Sequence, residues 1–414
     1  MTRNKVVLLA VTGGIASYKA CELVRLLAEQ GINVHVIMSE NATKFVTPLT
    51  FSALSGNTVE VHEFPADTSE LSRSPMAHIE LARKADLLVV APATANTIAK
   101  MACGIADNLV TSTVLAYRGK VLFAPAMNSA MWENPITQEN IRQLTERGFI
   151  LIEPGTGFLA CGEVGPGRMA EPEKILQEVL RTLNAEKGSF SGVKVVVTGG
   201  ATREYLDPVR FFTNASTGTL ALKCADYAYV NGANVRFIAC PSVDERELEL
   251  KAYPMTRVTN AEELLRALKE LSLDADILLM FAGVADFSPE FSPSKIRKED
   301  LEKLTLELRR TPDVLTEIGK HSAFKVKFGV SIDTDNPVES AKKKMQAKGL
   351  DAILAVSLEG TSTPFGDSSV KASILVKEET KLPVGIYDKR YLAEEILKVS
   401  LNLLEKKRSN NHDG

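Results

Sequence analysis

The sequence predicts an α/β protein made of two doubly wound, three-layer domains. Runs of β-branched and apolar residues alternate with helical stretches, which is typical of parallel strands covered on both faces. The chain also begins the same pattern twice, because residues 5–14 read KVVLLAVTGG and residues 194–200 read KVVVTGG. A helical stretch and a second strand follow each run, so each half is predicted to open with a βαβ unit.

The remaining elements are predicted from the same kind of pattern. Further strands are expected at 33–39, 86–93, 120–127 and 149–155 in the first half and at 234–240, 276–286, 324–331 and 350–357 in the second. The late runs SSVKASILVK and KLPVGIYD are predicted to form a hairpin or edge strands. A last helix is predicted over 389–406, and the polar tail KKRSNNHDG is expected to be disordered.

Composition limits the class of protein and its surroundings. The stretch 184–192 is rich in Gly, Ser and charge, which predicts a boundary between domains at 1–187 and 188–414. A formal charge of −3 over 414 residues indicates neither a nucleic-acid surface nor a membrane surface. The five cysteines have no paired metal or disulfide spacing, and no secretory leader or membrane span is indicated. We therefore expect a cytoplasmic protein.

The two Thr-Gly-Gly turns predict anion sites. A strand–glycine–helix turn presents free N–H groups and the positive end of a helix, which suits a phosphate. Neither turn has the GxGxxG pattern, and the second strand ends at Ser39 rather than at an acidic residue that would hold a ribose. A mononucleotide phosphate, also bound by the Ser39 hydroxyl, is therefore favoured over a dinucleotide. Tight strand–helix packing alone is the alternative.

Three successive strands of the first half are followed by polar motifs. PATANT, with Thr94, Asn96 and Thr97, follows one strand, PAMNSAMW follows the next, and LACGEVGPGRM follows the third. Because carboxyl ends of parallel strands share one edge of a sheet, these motifs predict a single ligand crevice. The glycines and Pro166 of the third motif predict a flap without helix or strand, which closes over the ligand and delivers Cys161. A chance thiol in a surface loop is the alternative.

At these motifs the chain resembles known families. TGGIASYK, PATANT, PAMNSAMW and ACGEVGPGRMAEP are similar to the motifs of flavin-dependent cysteine decarboxylases. TGGATREYLDPVRFFTNAST, AGVADF and SKIRK in the second half resemble phosphopantothenate–cysteine ligase. In this order they resemble the bifunctional coenzyme A biosynthesis proteins of bacteria over nearly the whole chain. The resemblance implies an N-terminal flavodoxin-like flavin decarboxylase fold and a C-terminal Rossmann-like ligase fold.

For the first half, the resemblance implies FMN-dependent decarboxylation of 4′-phosphopantothenoylcysteine to 4′-phosphopantetheine. Oxidation of the substrate thiol by the flavin provides the electron sink that lets CO₂ leave. His78 is implied as the base, Asn128 as the group that binds the substrate carboxylate, and Cys161 as the proton donor to the ene-thiol intermediate. Met131 is implied as a further substrate contact. Taken alone, His78 and Asn128 also fit a structural histidine and a turn residue. The residues implied for FMN are Gly13, Gly14, Ile15, Ala16, Ser17, Ser39, Thr94, Ala95, Asn96 and Thr97.

For the second half, the resemblance implies activation of 4′-phosphopantothenate by CTP and capture of the acyl-cytidylate by cysteine, with Mg²⁺ offsetting phosphate charge. Asn214 is implied as the contact to the acyl intermediate, Arg210 as a substrate residue and Lys295 as the cation at the charged transition state. Lys344 and Lys348 lie one helical turn apart and are predicted to face one side, although a basic surface helix has the same pattern. No metal ligand is indicated. The residues implied for CTP are Met280, Phe281, Ala282, Asp286, Lys295, Pro312, Asp313, Val314, Leu315, Val330, Lys344 and Lys348.

The second half departs from the ligase pattern near the nucleotide. Thr219 and Ala221 stand where a basic residue and a glycine are expected, Val330 stands where a phenylalanine is expected against the cytosine, and AVS at 355–357 replaces AND. KIRK in place of KIKK changes geometry more than charge. An active ligase with altered base contacts is one hypothesis. A decayed or ATP-using domain is the other.

Other functions remain open at this point. They are a flavin decarboxylase for another substrate with an unrelated partner domain, a flavoprotein without catalysis, and an NAD-linked dehydrogenase. The resemblance also implies a homo-oligomer of trimeric units that can group into a dodecamer, with ligase-domain dimers and flavin sites at subunit contacts.

Overall fold

The computed structural model describes residues 5–63, 77–185, 188–297, 303–321, 324–358, 364–377 and 379–410. The chain divides into two compact units, unit 1 at Met1–Lys187 and unit 2 at Gly188–Gly414. Each unit is built on one mainly parallel sheet. The predicted α/β class is therefore confirmed.

Unit 1 has a six-stranded parallel sheet in the order β3-β2-β1-β4-β5-β6. Without the two-residue edge strand β3, this is the flavodoxin order. The strands are β1 (Val6–Val11), β2 (Asn33–Met38), β3 (Val59–Glu60), β4 (Leu87–Ala93), β5 (Val121–Pro125), β6 (Ile150–Leu151), β7 (Gly155–Phe158) and β8 (Val164–Arg168). The helices are α1 (Ser17–Glu29), α2 (Pro48–Ser55), α3 (Ala77–Lys84), α4 (Ala95–Cys103), α5 (Leu109–Ala116), α6 (Ser129–Trp132), α7 (Pro135–Glu146) and α8 (Pro172–Asn184), with a 3₁₀ turn at Ala42–Lys44.

Burial along β1 explains the three layers of unit 1. Val7 and Leu9 pack into one buried apolar cluster, and Leu8 and Ala10 pack into another. Successive residues of a strand point to opposite faces, so an uninterrupted apolar run supplies two cores. The sheet is therefore covered on both sides.

The glycine-rich flap is ordered, which corrects the prediction of an irregular segment. β7 and β8 form an antiparallel hairpin, with Gly157 opposite Gly165 and Phe158 opposite Val164. Residues 159–163 form its tip and carry Cys161. Pro166 is tolerated because β8 is an edge strand of a separate two-stranded sheet.

Unit 2 has an eight-stranded sheet in the order β13-β12-β9-β14-β17-β18-β19-β20. The pairs β18–β19 and β19–β20 are antiparallel, which confirms the predicted late hairpin, and the others are parallel. The main-sheet strands are β9 (Lys194–Gly199), β12 (Asn234–Ala239), β13 (Met255–Arg257), β14 (Ile277–Met280), β17 (Val326–Asp333), β18 (Ala352–Ser357), β19 (Val370–Val376) and β20 (Glu379–Tyr387). Two short ribbons pair β10 (Arg203–Tyr205) with β11 (Phe211–Thr213) and β15 (Phe287–Pro289) with β16 (Leu308–Arg310). The helices are α9 (Thr219–Val230), α10 (Glu245–Glu249), α11 (Ala261–Ser272), α12 (Val314–His321), α13 (Pro337–Ala347) and α14 (Lys389–Asn410).

Two predicted boundaries in unit 2 are wrong. The strand predicted over 276–286 ends at Met280, because Thr198 Oγ1 accepts the next two backbone N–H groups and turns the chain. The last helix continues through most of the tail that was expected to be disordered. Lys407 Nζ lies 2.6 Å from Asp351 Oδ1, and Arg408 Nη2 lies 3.2 Å from Asp276 Oδ1. Residues 411–414 of that tail lie outside the described residues. Among the described helices, none combines the length and apolar character needed to span a bilayer.

Candidate active sites

A cavity of about 900 Å³ opens in unit 1 beside the carboxyl ends of β1 and β4. β1 lies between β2 and β4, which is the switch point where ligands bind in open α/β sheets. The turn after β1, the segments after β4 and β5, and the hairpin β7–β8 all contribute to its wall. The predicted residues that line it are Gly13, Gly14, Ile15, Ala16, Ser39, Thr94, Ala95, Asn96, Thr97, Asn128, Met131 and Cys161.

The turn before α1 has the properties of a phosphate site. Within the described residues, the N–H groups of Ile15 and Ala16 donate to no backbone carbonyl, and no side chain caps the helix. The first turn of α1 carries no acidic residue. A Cβ on Gly13 would lie 2.5 Å from Asn41 Cβ, so the close approach of this turn requires glycine. Free N–H groups and a helix dipole therefore face the cavity.

Ser17 is the one residue predicted for FMN that does not line the cavity. Its side chain is fully buried, and its hydroxyl donates to the carbonyls of Gly14 and Thr12 at 2.6 and 3.1 Å. Its backbone N–H donates to Gly14 O as well. Ser17 therefore stabilises the turn by hydrogen bonds to its carbonyl groups and does not face the ligand.

Thr12 is a site residue that the sequence reasoning missed. Its buried hydroxyl donates to Pro92 O at 2.7 Å and accepts from Thr94 N at 3.1 Å, which joins the end of β1 to the start of PATANT. In unit 2, the Thr198 hydroxyl accepts from Phe281 N and Ala282 N and so joins the end of β9 to the segment after β14. The available signal was the repeated threonine of the two Thr-Gly-Gly turns.

Asn128 is oriented by the start of α6. Its Oδ1 accepts from Met131 N at 2.9 Å and caps the helix, so its Nδ2 is the end that can donate to a ligand. The same segment holds the hairpin. Ser129 Oγ donates to Pro166 O at 3.0 Å, and Met127 N donates to Gly167 O at 3.0 Å. Asn128 and the cysteine-bearing hairpin are therefore fixed to each other.

Cys161 lies exposed at the tip of the hairpin. Leu159 N donates to Glu163 O at 2.8 Å and closes the tip, and Cys161 Sγ lies 3.7 Å from Glu163 Oε2. Gly162 has a φ of +89°, which favours glycine at this point of the turn. The thiol lines the same cavity as Asn128.

Of the three catalytic residues predicted in unit 1, His78 does not line this cavity. It lies near the start of α3, with Nδ1 3.7 Å from Glu63 Oε1 and one fifth of its side chain exposed. That Nδ1 atom is buried and has no hydrogen bond within the described residues. One chain therefore brings Asn128 and Cys161 together without His78.

Lys19 and Arg168 also line the cavity, and no sequence signal singled them out. Lys19 Nζ lies 2.9 Å from both carboxylate oxygens of Glu171, and Arg168 Nη2 lies 2.8 Å from Oε1. Because Arg168 ends β8 and Lys19 belongs to α1, Glu171 joins the end of the hairpin to the first helix. Lys19 lies 152 residues from Glu171 in the sequence, which is why pattern reasoning could not pair them.

In unit 2, the segments that carry Asn214, Arg210 and Lys295 lie at the equivalent switch point between β12, β9 and β14. Asn214 Nδ2 donates to Val284 O at 2.9 Å. The Arg210 guanidinium binds Asp207 Oδ2 at 3.0 and 2.6 Å and also donates to the carbonyl of Ile296. Lys295, next to Ile296, is exposed. Arg210 is therefore joined by hydrogen bonds to the segment that carries the predicted catalytic lysine.

Two lysines predicted for CTP each contact another residue of the predicted set. Lys344 Nζ donates to Val330 O at 2.8 Å, and Lys348 Nζ pairs with the Asp313 carboxylate. Burial lowers the pKa of Lys344, and the nearby Asp286 carboxylate partly offsets that effect. Both lysines point inward from the end of α13, whereas the neighbouring Lys342 and Lys343 are exposed. Met280 and Val314 lie buried in one apolar core cluster of unit 2.

Four residues of the departures from the ligase pattern line a smaller cavity of about 70 Å³. Phe281 and Val330 line it together with Thr219, Ala221 and Val356. No group of three or more His, Cys, Asp or Glu side chains suited to a metal occurs within the described residues. The remaining residues predicted for CTP, Ala282, Pro312 and Leu315, are half-buried beside these groups.

Comparisons with known proteins agree with this two-part arrangement. The model of the Flavoprotein family matches residues 1–184, and that of the DNA/pantothenate metabolism flavoprotein C-terminal domain matches residues 190–403. The coenzyme A biosynthesis bifunctional protein CoaBC of Bacillus subtilis is 41% identical over 96% of this chain and 97% of its own. That of Borreliella burgdorferi is 36% identical over 96% of this chain and 100% of its own. A solved PPC decarboxylase variant, complexed with pantothenoylaminoethenethiol, is 36% identical and covers 43% of this chain and 97% of its own at a TM-score of 0.38.

The chain is thus a flavoprotein with an attached pantothenate-metabolism domain. It belongs to the family of coenzyme A biosynthesis bifunctional proteins, and it catalyses two steps of coenzyme A biosynthesis as a phosphopantothenoylcysteine decarboxylase and a phosphopantothenate–cysteine ligase. The predicted resemblance is confirmed. The alternative of a flavin decarboxylase with an unrelated partner domain is wrong.

Proposed function

We propose that unit 1 is the decarboxylase and that its flavin is FMN. The observation that carries the proposal is the uncapped start of α1, which opens into the same cavity as Asn128 and Cys161. The phosphate would bind the turn at 13–16 and the Ser39 hydroxyl, and the ring would lie beside Thr94–Thr97. Bound there, FMN would supply the two-electron oxidation of the substrate thiol that makes loss of CO₂ feasible and would return the two electrons when the ene-thiolate is protonated.

The side chains of unit 1 would then divide the remaining work. Asn128 Nδ2 donates to the substrate carboxylate without neutralising it, and Met131 contacts the substrate beside it. An amide therefore orients the carboxylate but does not hold it as a lysine would. After CO₂ has left, Cys161 Sγ gives its proton to carbon of the ene-thiolate. The hairpin above the site excludes water during that transfer.

We propose that His78 acts in the site of a neighbouring copy, within a homo-oligomer of trimeric units that can group into a dodecamer, with ligase-domain dimers. Large apolar side chains on and near the cavity support this proposal. Ile15 and Tyr18 are more than half exposed, and Leu49 on α2 is 77% exposed. Exposed apolar groups of this size are typical of subunit contacts.

A mixed oligomer tests the shared site. Two variants that are each expected to form almost no 4′-phosphopantetheine, His78→Ala and Cys161→Ser, are co-expressed with different tags, and the doubly tagged oligomer is isolated. Because some sites would combine an intact His78 with an intact Cys161, we expect the mixture to regain formation of 4′-phosphopantetheine. A mixture as inactive as each variant alone would contradict a shared site. The double variant His78→Ala/Cys161→Ser is the control that should stay inactive.

For unit 2, residues 188–414, we propose CTP as the activating nucleotide and Mg²⁺ as the ion that accompanies its phosphates. Asp286, Lys344 and Lys348 support a nucleotide site. Mg²⁺ commonly keeps several waters and binds through nucleotide phosphates with one or two carboxylates, so a dedicated metal cage is not needed. Lys295 would stabilise the charged transition state and Asn214 would contact the acyl intermediate.

A reducing, cytoplasmic location would keep Cys161 a free thiol.

A nucleotide-dependence assay tests this part. Full-length protein is given phosphopantothenate, cysteine and either CTP or ATP, and pyrophosphate is measured. We expect a kcat/KM for CTP at least about tenfold above that for ATP. Val330→Phe should lower the KM for CTP and widen the preference, because an aromatic ring would face the base. Equal rates with the two nucleotides would support the ATP-using alternative, and no pyrophosphate with either would support the decayed domain.

A further inference from the structure

Asp207, the partner of Arg210, is a fully buried carboxylate. Its Oδ1 accepts from the backbone N–H groups of Val209 and Arg210, each at 2.8 Å. Its Oδ2 accepts from Arg210 Nε at 3.0 Å, Arg210 Nη2 at 2.6 Å and Ile296 N at 3.2 Å. Burial alone would raise the pKa of Asp207, but these hydrogen bonds outweigh it and hold the pKa well below its usual value. The group is therefore a charged acceptor with five donors.

The donors come from two segments that are far apart in the sequence. One is the turn between β10 and β11, which contains Arg210 and leads to Asn214. The other contains Ile296, whose N–H is bound by Asp207 and whose carbonyl is bound by Arg210. Ser292 N also donates to Leu206 O at 2.8 Å. The ion pair of Asp207 and Arg210 thus binds both the N–H and the carbonyl of Ile296, the residue next to Lys295.

We propose that Asp207 is a positioning residue of the ligase, which holds the segment 294–297 against the turn 206–210 and so presents Lys295 to the site that contains Asn214. The proposal rests on the proposed role of Lys295. It also gives Arg210 a second task, since a planar guanidinium can bridge a carboxylate and a carbonyl in a way that a lysine cannot. Neither residue needs to contact the reacting atoms for this effect.

The variant Asp207→Asn tests the proposal with little change in volume. Oδ1 can still accept from the turn, but an NH₂ group would then face the donors of Arg210 and Ile296. Trypsin cleavage after Lys295 and Arg297 in the folded full chain reports directly on the segment. We expect cleavage to become about tenfold faster and kcat for ligation to fall about tenfold, with the KM for nucleotide nearly unchanged. Arg210→Lys should speed cleavage in the same way.

Asp276→Asn is the matched control. Asp276 is also buried and accepts from a backbone N–H, a lysine and an arginine, at Lys194, Lys325 and Arg408. It lies at the amino end of β14, so its loss should leave cleavage at Lys295 unchanged. Unchanged cleavage in Asp207→Asn and Arg210→Lys, or faster cleavage with unchanged kcat, would overturn the proposal. If the wild-type chain shows no ligation, the proposed function fails, while the cleavage comparison still decides whether Asp207 holds the segment.

Discussion

Replacing Cys161 by serine is expected to stop formation of 4′-phosphopantetheine while CO₂ is still released. The thiol is needed only after the carboxylate has left, when a carbon of the ene-thiolate must be protonated. An alcohol is a far weaker acid than a thiol, so Cys161→Ser should slow that last transfer by about a thousandfold. Because Asn128 and the flavin turn are untouched, the earlier steps should proceed.

The two outcomes are measured separately in one reaction. Trapped CO₂ reports the loss of the carboxylate, and mass spectrometry of the organic product distinguishes the reduced thiol from a product two hydrogens lighter. Cys103→Ser is the control, since Cys103 is also an exposed cysteine of unit 1 but does not line the cavity. Full 4′-phosphopantetheine formation by Cys161→Ser would remove Cys161 from the mechanism.

The convergence of Asn128 and Cys161 could be predicted because it follows from a rule of parallel sheets. The motifs that carry them come after successive buried strands, and such strands end at one edge. The parallel strand that opens each unit was predictable for a related reason, since an apolar run such as Val6–Val11 must be covered on both faces. These are properties of neighbouring residues and of their order along the chain.

Features that depend on partners far apart in the sequence could not be predicted. Val164–Arg168 contains two glycines and a proline; it pairs with β7, and the hairpin is held by Ser129 and Met127 from a separate segment of the chain. Arg210 was assigned to the substrate, but besides the nearby Asp207 it binds the carbonyl of Ile296, which lies 86 residues away. The end of α14 is ordered by aspartates of the main sheet. Local propensity does not contain these contacts.

Gly167→Ala is expected to impair decarboxylation strongly and to leave ligation intact. Gly167 has a φ of +117°, and a Cβ at this position would lie 2.3 Å from Met127 O and 3.4 Å from Asn128 O. Those atoms are backbone and cannot rotate away. The hairpin would have to move off the segment that orients Asn128, and a displacement on the order of 1 Å at a site of this kind costs about a hundredfold in rate.

Two other glycines of the same hairpin distinguish a steric collision from backbone strain as the cause of the loss. Gly162→Ala would be strained by a φ of +89° but meets no heavy atom of the described residues within 4 Å, so it measures backbone strain without a collision. Gly155→Ala meets only Arg168 O, at 3.8 Å, and should behave like the wild type.

The rate of CO₂ release at saturating phosphopantothenoylcysteine is compared for the three variants, with pyrophosphate release by unit 2 as the internal reference. If Gly167→Ala and Gly155→Ala have the same rate, the contact between the hairpin and Met127 does not position the site. A loss shared equally by Gly167→Ala and Gly162→Ala would instead assign the effect to backbone strain. A loss confined to Gly167→Ala means that decarboxylation requires the close approach of the hairpin to the backbone beside Asn128.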